Sequence, residues 1–194
     1  MQTVTIDAVR AMAEAAAGAI DRIFLHWSAG HYGQPFPDYH LNIDADGTLY
    51  APGDDLTATL AHTWHQNTGS VAVSLLCCAF ADTNSLGAEP PTAVQIDTMA
   101  RVVAVLCRGL GLPCDFDHVR THAEQADLDG YGPATTCERW DLWYLSDGDP
   151  PGSGGDALRA KALACLAEPA EPSEAAGQTR PSGAKHRHRH RRRR

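Results

Sequence analysis

The stretch "SVAVSLLCCAF", residues 70–80, decides the fold class because apolar side chains occupy both of its faces. Such a strand is typical of the centre of a sheet that is covered on both sides. A second apolar run, "RIFLHW" at residues 22–27, also predicts a buried strand. The two runs together predict a sheet whose central strands lie inside the molecule.

Two further segments predict strands beside this centre. In "YHLNIDADGTLY", residues 39–50, apolar and polar side chains alternate up to the turn-forming pair Asp46-Gly47, and an apolar segment follows. This arrangement predicts a β-hairpin. The segment "DHVRT", residues 117–121, predicts a last short strand.

Three segments predict helices around the sheet. Residues 92–109 form one, because apolar side chains recur there every three or four positions. Residues 6–18 and 154–167 predict the other two. The order of these elements predicts one α/β domain with a central mixed β-sheet flanked by helices.

The distribution of charge divides the chain into two parts. The net charge of the 194 residues is −8, but residues 180–194 contain eight Lys and Arg residues and no acid. The remainder therefore holds 8 basic and 24 acidic residues, a balance of −16. We expect a folded domain over residues 1–168 and, over residues 169–194, a disordered Pro- and Glu-containing linker with a basic His/Arg tail.

Composition also restricts where the protein is made. No run of about 18 apolar residues occurs, so no transmembrane helix is expected. The N-terminal segment contains acids and lacks a basic start, so we expect no secretory signal peptide. The six cysteines lack CxxC spacing, and Cys77 and Cys78 lie inside an apolar run, which predicts buried free thiols and folding in a reducing cytoplasm.

The stretch "THAEQADLDGYGPATTCERWDLW", residues 121–143, predicts a functional site. It combines a histidine, several acids, a cysteine, an arginine and two tryptophans with little periodicity. A plain surface loop does not need tryptophans, and a core strand does not tolerate so many charges. The rest of the site must come from elsewhere in the chain.

Two histidines suit the metal site of a hydrolase. His26 lies at the end of a predicted strand, and His122 directly follows another. A hydrolytic zinc site uses three protein ligands and keeps one position open for water. Asp141, Cys137 and Glu124 can each supply the third ligand, and spacing alone leaves that choice open. For either histidine alone, the alternative is an ordinary hydrogen-bonded core or surface residue.

Four blocks in this order resemble the zinc-dependent type-2 N-acetylmuramoyl-L-alanine amidases. The blocks are "IFLHWSAG", "DYHLNIDADGTLY", "AHTWHQNTGSVAVSL" and "VRTHAEQA…ERWDLW", and the resemblance covers about residues 20–145. That family includes bacteriophage endolysins and shares its fold with peptidoglycan recognition proteins. The resemblance implies zinc-dependent hydrolysis of the amide bond between N-acetylmuramic acid and L-alanine in peptidoglycan, by a phage or prophage endolysin. A non-catalytic peptidoglycan-recognition module is the alternative.

The resemblance also implies the zinc ligands. His26 and His122 match the two histidines of the family, and Asp141 matches the third ligand, which is an Asp or Cys preceded two residues earlier by Lys. Here Arg139 replaces that lysine. The gap between His122 and Asp141 is longer than in the relatives, so Cys137 is retained as an alternative third ligand.

The resemblance assigns catalytic roles as well. Some relatives carry a catalytic glutamate four residues after a strand serine. Here the strand serine is Ser70, and the position four residues later is Ser74, so that glutamate is missing. Others use the tyrosine of a Tyr-His pair, which Tyr39-His40 matches. Tyr39 is therefore expected to act as the general acid or base, unless it is an ordinary strand tyrosine. Arg139 is expected to stabilise the oxyanion.

The segment "AHTWHQNTGS", residues 61–70, is expected to face the substrate. His62 and Asn67 can hydrogen-bond the peptide stem, and Trp64 can stack on a sugar. The alternative is a polar loop that covers one buried tryptophan.

Peptidoglycan is the expected partner, and the basic tail is expected to contact the anionic cell envelope. A run of arginines binds any polyanion, and no aromatic side chains interrupt the tail, so no specific nucleic acid is expected. We expect a monomer, made in the host cytoplasm, that acts on the cell wall in the periplasm or outside the cell.

Overall fold

The computed structural model describes residues 1–169. This part of the chain forms six strands and four helices. In chain order they are β1 (Gln2–Val4), α1 (Ile6–Ala15), β2 (Arg22–Trp27), β3 (Leu41–Ile43), β4 (Leu49–Ala51), β5 (Ser70–Leu75), α2 (Ala93–Leu110), β6 (Val119–Thr121), α3 (His122–Asp129) and α4 (Gly154–Ala167).

All six strands belong to one mixed sheet with the order β1-β4-β3-β5-β2-β6. Strand β5 is parallel to β3 and β2, and β2 is parallel to β6. Strands β3 and β4 form the predicted antiparallel hairpin, and β1 pairs antiparallel with β4 at the edge. The predicted α/β domain with a central mixed sheet is confirmed.

The two faces of the sheet have different surroundings because successive side chains on a strand point in opposite directions. On β2, Ile23, Leu25 and Trp27 join the hydrophobic core that includes apolar residues of α1, α2 and α4. Phe24 and His26 alternate with them and therefore face the other side. Helices α1, α2 and α4 thus cover one face, and the functional side chains can lie on the opposite face.

Helix α2 is tied to the sheet by a buried amide. Thr92 and Gln95 form a capping box at the start of the helix. The side-chain Nε2 of Gln95 also donates to the backbone oxygens of Ile43 and Leu76, each at 3.0 Å. These bonds satisfy two carbonyls where β3 and β5 end, and they fix the register of the helix on the sheet.

Two elements were not predicted. Strand β1 has only three residues and is held by its pairing with β4, a long-range contact that local sequence does not reveal. Helix α3 begins with a Thr121–Glu124 capping box and ends at Gly130, which has a left-handed backbone. The Thr-x-x-Glu spacing was a usable signal, but the helix is too short to show a clear apolar periodicity.

The prediction of buried free thiols is confirmed for four cysteines. All six cysteines are unpaired, and Cys77, Cys78, Cys107 and Cys114 are buried. Within residues 1–169, no helix is both long and apolar enough to cross a membrane. The predicted linker and basic tail lie outside the described residues from residue 170 onward.

Candidate metal centre

Three polar side chains converge on the face of the sheet opposite the helices. The Nδ1 atom of His26 lies 3.1 Å from Asp141 Oδ2, and Nδ1 of His122 lies 3.2 Å from Asp141 Oδ1. One potential ligand atom from each residue lies within 4.8 Å of the others. All three residues are buried, with exposed fractions of 1%, 6% and 5% for His26, His122 and Asp141.

The local structure explains why these residues meet. His26 is near the carboxyl end of β2, which is parallel to β6, with Leu25 opposite Thr121. His122 is the next residue and opens α3. Asp141 lies in the loop after α3, and its own backbone oxygen accepts from Ala123 N at 3.4 Å. Parallel pairing therefore places the two histidines side by side.

The chemistry of the three donors suits a zinc ion. Burial lowers the pKa of His26, which favours the neutral imidazole that binds metals. Burial would raise the pKa of Asp141, but the charge of His122 and hydrogen bonds to both histidines outweigh it and hold the pKa below its usual range. Zinc bonds of about 2.0–2.2 Å in tetrahedral geometry need donors roughly 3.3 Å apart. The two His–Asp separations, each to a different carboxylate oxygen of Asp141, are close to that requirement.

The outer nitrogens of the histidines also have partners. Thr63 Oγ1 lies 3.3 Å from His26 Nε2, and the hydroxyl of Tyr131 lies 3.4 Å from His122 Nε2. Such contacts orient a ligating imidazole. Sequence reasoning missed both residues. Their positions, directly after His62 and between two glycines, offered only weak signals.

The structure separates the alternatives for the third ligand. The two carboxylate oxygens of Glu124 accept from Arg159 at 2.8 Å each, so they face away from the histidines. Cys137 is half-buried and, among residues 1–169, does not join the group that can hold a metal ion. The geometry therefore favours Asp141, and its role as a ligand stays a prediction.

The cluster borders a cleft with two arms: His122 lines both arms, and Asp141 lines the first. The first arm, of about 460 Å³, is lined by aromatic residues that include Trp27, Tyr39 and Trp140. The second, of about 680 Å³, includes Trp64 and Tyr131. Both volumes lie in the range of ligand-binding clefts. Both arms share Ala61, His62, His122, Glu138 and Arg139.

The two predicted catalytic residues occupy different positions in this cleft. The ring of Tyr39 is 5.1 Å from that of His26 between centroids. Burial, followed by the negative charge of Asp141, raises the pKa of the Tyr39 phenol, so it stays protonated at neutral pH. Arg139 is exposed at the junction of the arms, and its Nη1 donates to the backbone oxygen of Glu138 at 2.8 Å.

The three residues predicted to bind substrate also differ. Trp64 is 63% exposed in the second arm, which excludes the alternative of a loop built over a buried tryptophan. His62 is buried, and burial with the neighbouring His26 and His40 lowers its pKa to about 2. Asn67 Oδ1 accepts from the backbone nitrogens of His62 and Thr63 at 3.2 and 2.9 Å. Asn67 therefore shapes the loop, and only its amide nitrogen remains for a substrate.

Three solved structures are similar to this chain at low identity. An endolysin N-acetylmuramoyl-L-alanine amidase from Clostridium intestinale has 16% identity and a TM-score of 0.40, with 54% of this chain and 69% of that chain covered. Drosophila PGRP-LB has 19% identity and a TM-score of 0.41, with 54% and 70% covered. The Staphylococcus aureus hydrolase AmiA has 17% identity and a TM-score of 0.41, with 76% and 75% covered.

No curated protein sequence matches the chain. A family model does match, and it describes N-acetylmuramoyl-L-alanine amidases over residues 9–140. That range contains His26 and His122, and it ends one residue before Asp141. Because the match spans more than half of the chain, this protein belongs to the type-2 N-acetylmuramoyl-L-alanine amidase family.

Proposed function

We propose that the protein is a zinc-dependent hydrolase that cuts the amide bond between N-acetylmuramic acid and L-alanine in peptidoglycan. One observation carries the proposal: two buried imidazoles and one buried carboxylate converge beside an open cleft. Membership of the amidase family supports the choice of bond. His26, His122 and Asp141 would hold the ion.

The residues around the cluster have distinct parts in the proposed reaction. When bound at such a site, zinc acts as a Lewis acid and makes a nucleophile available from water near neutral pH. Arg139, at the junction of the arms, would stabilise the negative charge that develops on the scissile carbonyl oxygen. Tyr39 would relay a proton: its Oη–H would protonate the nitrogen of L-alanine as the carbon–nitrogen bond breaks, and the proton released by the attacking water would restore the phenol.

The two arms suit a substrate that is part sugar and part peptide. Exposed Trp64 offers an aromatic face in the second arm, on which a sugar ring can stack. The first arm leads past Tyr39 and would receive the chain on the other side of the scissile bond. His62 and Asn67 would act mainly by shaping the wall between the arms.

We further propose that the protein is a monomeric phage or prophage endolysin. It would be made in the host cytoplasm and act on the cell wall in the periplasm or outside the cell. The four buried, unpaired cysteines support folding in a reducing compartment.

A peptidoglycan-recognition module without catalysis is the competing function. A module of that class that has lost the metal would lack at least one ligand. Here all three candidate positions carry residues that can bind zinc, and their donor atoms converge. This convergence favours the enzyme.

Zinc content tests the proposed centre. We expect about one zinc per chain, and loss of both zinc and activity in His26→Ala, His122→Ala and Asp141→Ala, because each removes one of only three protein ligands. Metal analysis of the purified variants measures this. Cys137→Ser and His118→Ala are controls and should keep the metal. Loss of zinc in Cys137→Ser with retention in Asp141→Ala would show that the third ligand is misassigned.

The products of digestion test the bond that is cut. Mass spectrometry of digested peptidoglycan should find new amino termini on L-alanine, because only amide hydrolysis at the lactyl group produces them. New reducing sugar ends should be absent. Reducing ends without free L-alanine would identify a glycosidase, and binding without any cleavage would identify a recognition module.

The variant Tyr39→Phe tests the proton donor. It should keep zinc and lower turnover by about 100-fold or more, the range for a lost acid or base group. Steady-state kinetics and metal analysis measure the two effects separately. Tyr50→Phe, in strand β4 between β1 and β3, is the matched control and should retain full turnover. Wild-type turnover in Tyr39→Phe would show that Tyr39 is an ordinary structural tyrosine and not the proton donor.

The basic tail is proposed to hold the enzyme near the anionic envelope. Residues 185–194 contain seven Lys and Arg residues and three histidines. Each basic residue near an anionic surface contributes about 1 kcal/mol, so the tail can offset repulsion from the acidic domain. Histidine protonation would add charge below about pH 6.5.

Truncation after Gly183 tests this role of the tail. Hydrolysis of soluble muropeptides should be unchanged, whereas binding to intact envelopes and lysis should weaken at low salt. Added salt should remove the difference, because it screens exposed charges. Co-sedimentation with envelopes and turbidity measurements provide the comparison. Equal lysis by both forms at low salt would contradict envelope targeting.

A further inference from the structure

The start of helix α3 depends on a buried ion pair. Glu124 Oε2 accepts from Thr121 N at 2.9 Å, and Thr121 Oγ1 accepts from Glu124 N at 3.2 Å. This capping box closes the turn of helix whose first residue is His122. The position of His122 therefore depends on where the Glu124 carboxylate lies.

The Glu124 carboxylate is held by an arginine from another helix. Arg159 of α4 donates through Nη1 and Nη2 to the two carboxylate oxygens, each at 2.8 Å. The side chains of Glu124 and Arg159 are 9% and 8% exposed. Arg159 Nη1 also donates to the backbone oxygen of Val119 in β6 at 2.9 Å. One guanidinium thus fixes both the strand that leads to His122 and the carboxylate that caps its helix.

The first turn of α4 approaches the ligand-bearing segments closely. A Cβ added to Gly155 would lie 2.0 Å from Glu124 Oε1, and one added to Gly154 would lie 2.0 Å from the backbone oxygen of Leu142. Leu142 is the residue after Asp141. Only glycine allows these two contacts. The first turn of α4 therefore packs directly against both the cap of α3 and the loop that carries Asp141.

We propose that Arg159 is a positioning residue for the metal ligand His122 and that it acts through Glu124. This proposal rests on the proposed function, because it requires a zinc centre. Helix α4 lies outside residues 9–140, which match the family, so the part of the chain beyond that match completes the support of the site. The hydrogen bonds of Arg159 go to Glu124, Val119 and Asp156, so it would act through other residues and not as a ligand.

Zinc affinity in Arg159→Met tests the proposal. Methionine keeps much of the side-chain length but removes the charge and all four donated bonds, including the one to Asp156 Oδ1 at 2.6 Å. We expect zinc affinity to fall by about 10-fold or more, as when an outer partner of a metal ligand is lost. Competition with a chelator measures the affinity, and the visible absorption of the cobalt-substituted protein reports ligand geometry. Lys161→Met is the matched control, since Lys161 is on the same helix as Arg159 but forms an exposed ion pair with Asp97 of α2.

A double-mutant cycle tests whether Arg159 acts through Glu124. Glutamine at position 124 can still cap the helix but carries no charge. If Arg159 acts through this carboxylate, Glu124→Gln with Arg159→Met should bind zinc no more weakly than Arg159→Met alone. Additive losses would overturn the proposed route. Arg159→Lys keeps the charge without the two-pronged geometry and should give an intermediate affinity.

Folding and positioning are separated by measuring thermal unfolding of each metal-free variant. If Arg159→Met does not fold, zinc affinity is compared in Arg159→Lys and in the double variant Glu124→Gln with Arg159→Met. A folded variant that lacks the Arg159 guanidinium but keeps wild-type zinc affinity and an unchanged cobalt spectrum would overturn this inference. The proposed function would not be affected by that result. Absence of zinc binding by the unaltered protein would overturn the proposed function and this inference together.

Discussion

The parallel pairing of β2 with β5 and β6 is the constraint on which the candidate site depends. Parallel strands end at the same edge of a sheet, so residues that follow them are brought together although they are distant in sequence. Leu25 is opposite Thr121, and the next residues on each side are His26 and His122. A shift of one residue in this register would turn His26 towards the helices and destroy the convergence.

The sheet separates a structural face from a chemical one. One face packs against α1, α2 and α4 and contains the large aliphatic side chains of the core. The other holds buried polar groups, namely His26, His40, Asn42, His62, Ser70 and Ser74. Buried polar groups are stable only with partners, and His40 illustrates this. It accepts from Ala72 N at 3.0 Å and lies 2.7 Å from the backbone oxygen of Ala58.

Asp141 is the electrostatic centre of that chemical face. An ionised carboxylate this deeply buried is costly unless cations or donors surround it. Its neighbours here are two imidazoles at 3.1 and 3.2 Å, and burial keeps His26 and His62 neutral. A buried carboxylate between imidazole nitrogens supplies the donor types that suit a divalent cation such as zinc. The outer contacts of Thr63 and Tyr131, and the Arg159–Glu124 pair behind His122, restrain this geometry.

The sequence by itself determined the elements with strong local patterns. The apolar run over residues 22–27, the Asp46-Gly47 turn and the periodic helix at residues 92–109 carry their own signals, because period and turn chemistry are local properties. The residues also pointed to His26 and His122, whereas spacing left Asp141, Cys137 and Glu124 open as the third donor. Only the tertiary structure showed which of the three lies beside the histidines, since it places Asp141 between them and pairs Glu124 with Arg159. It also decided the parts played by Thr63, Tyr131 and Asn67, because contacts between distant segments depend on strand register and helix packing, which no local pattern encodes.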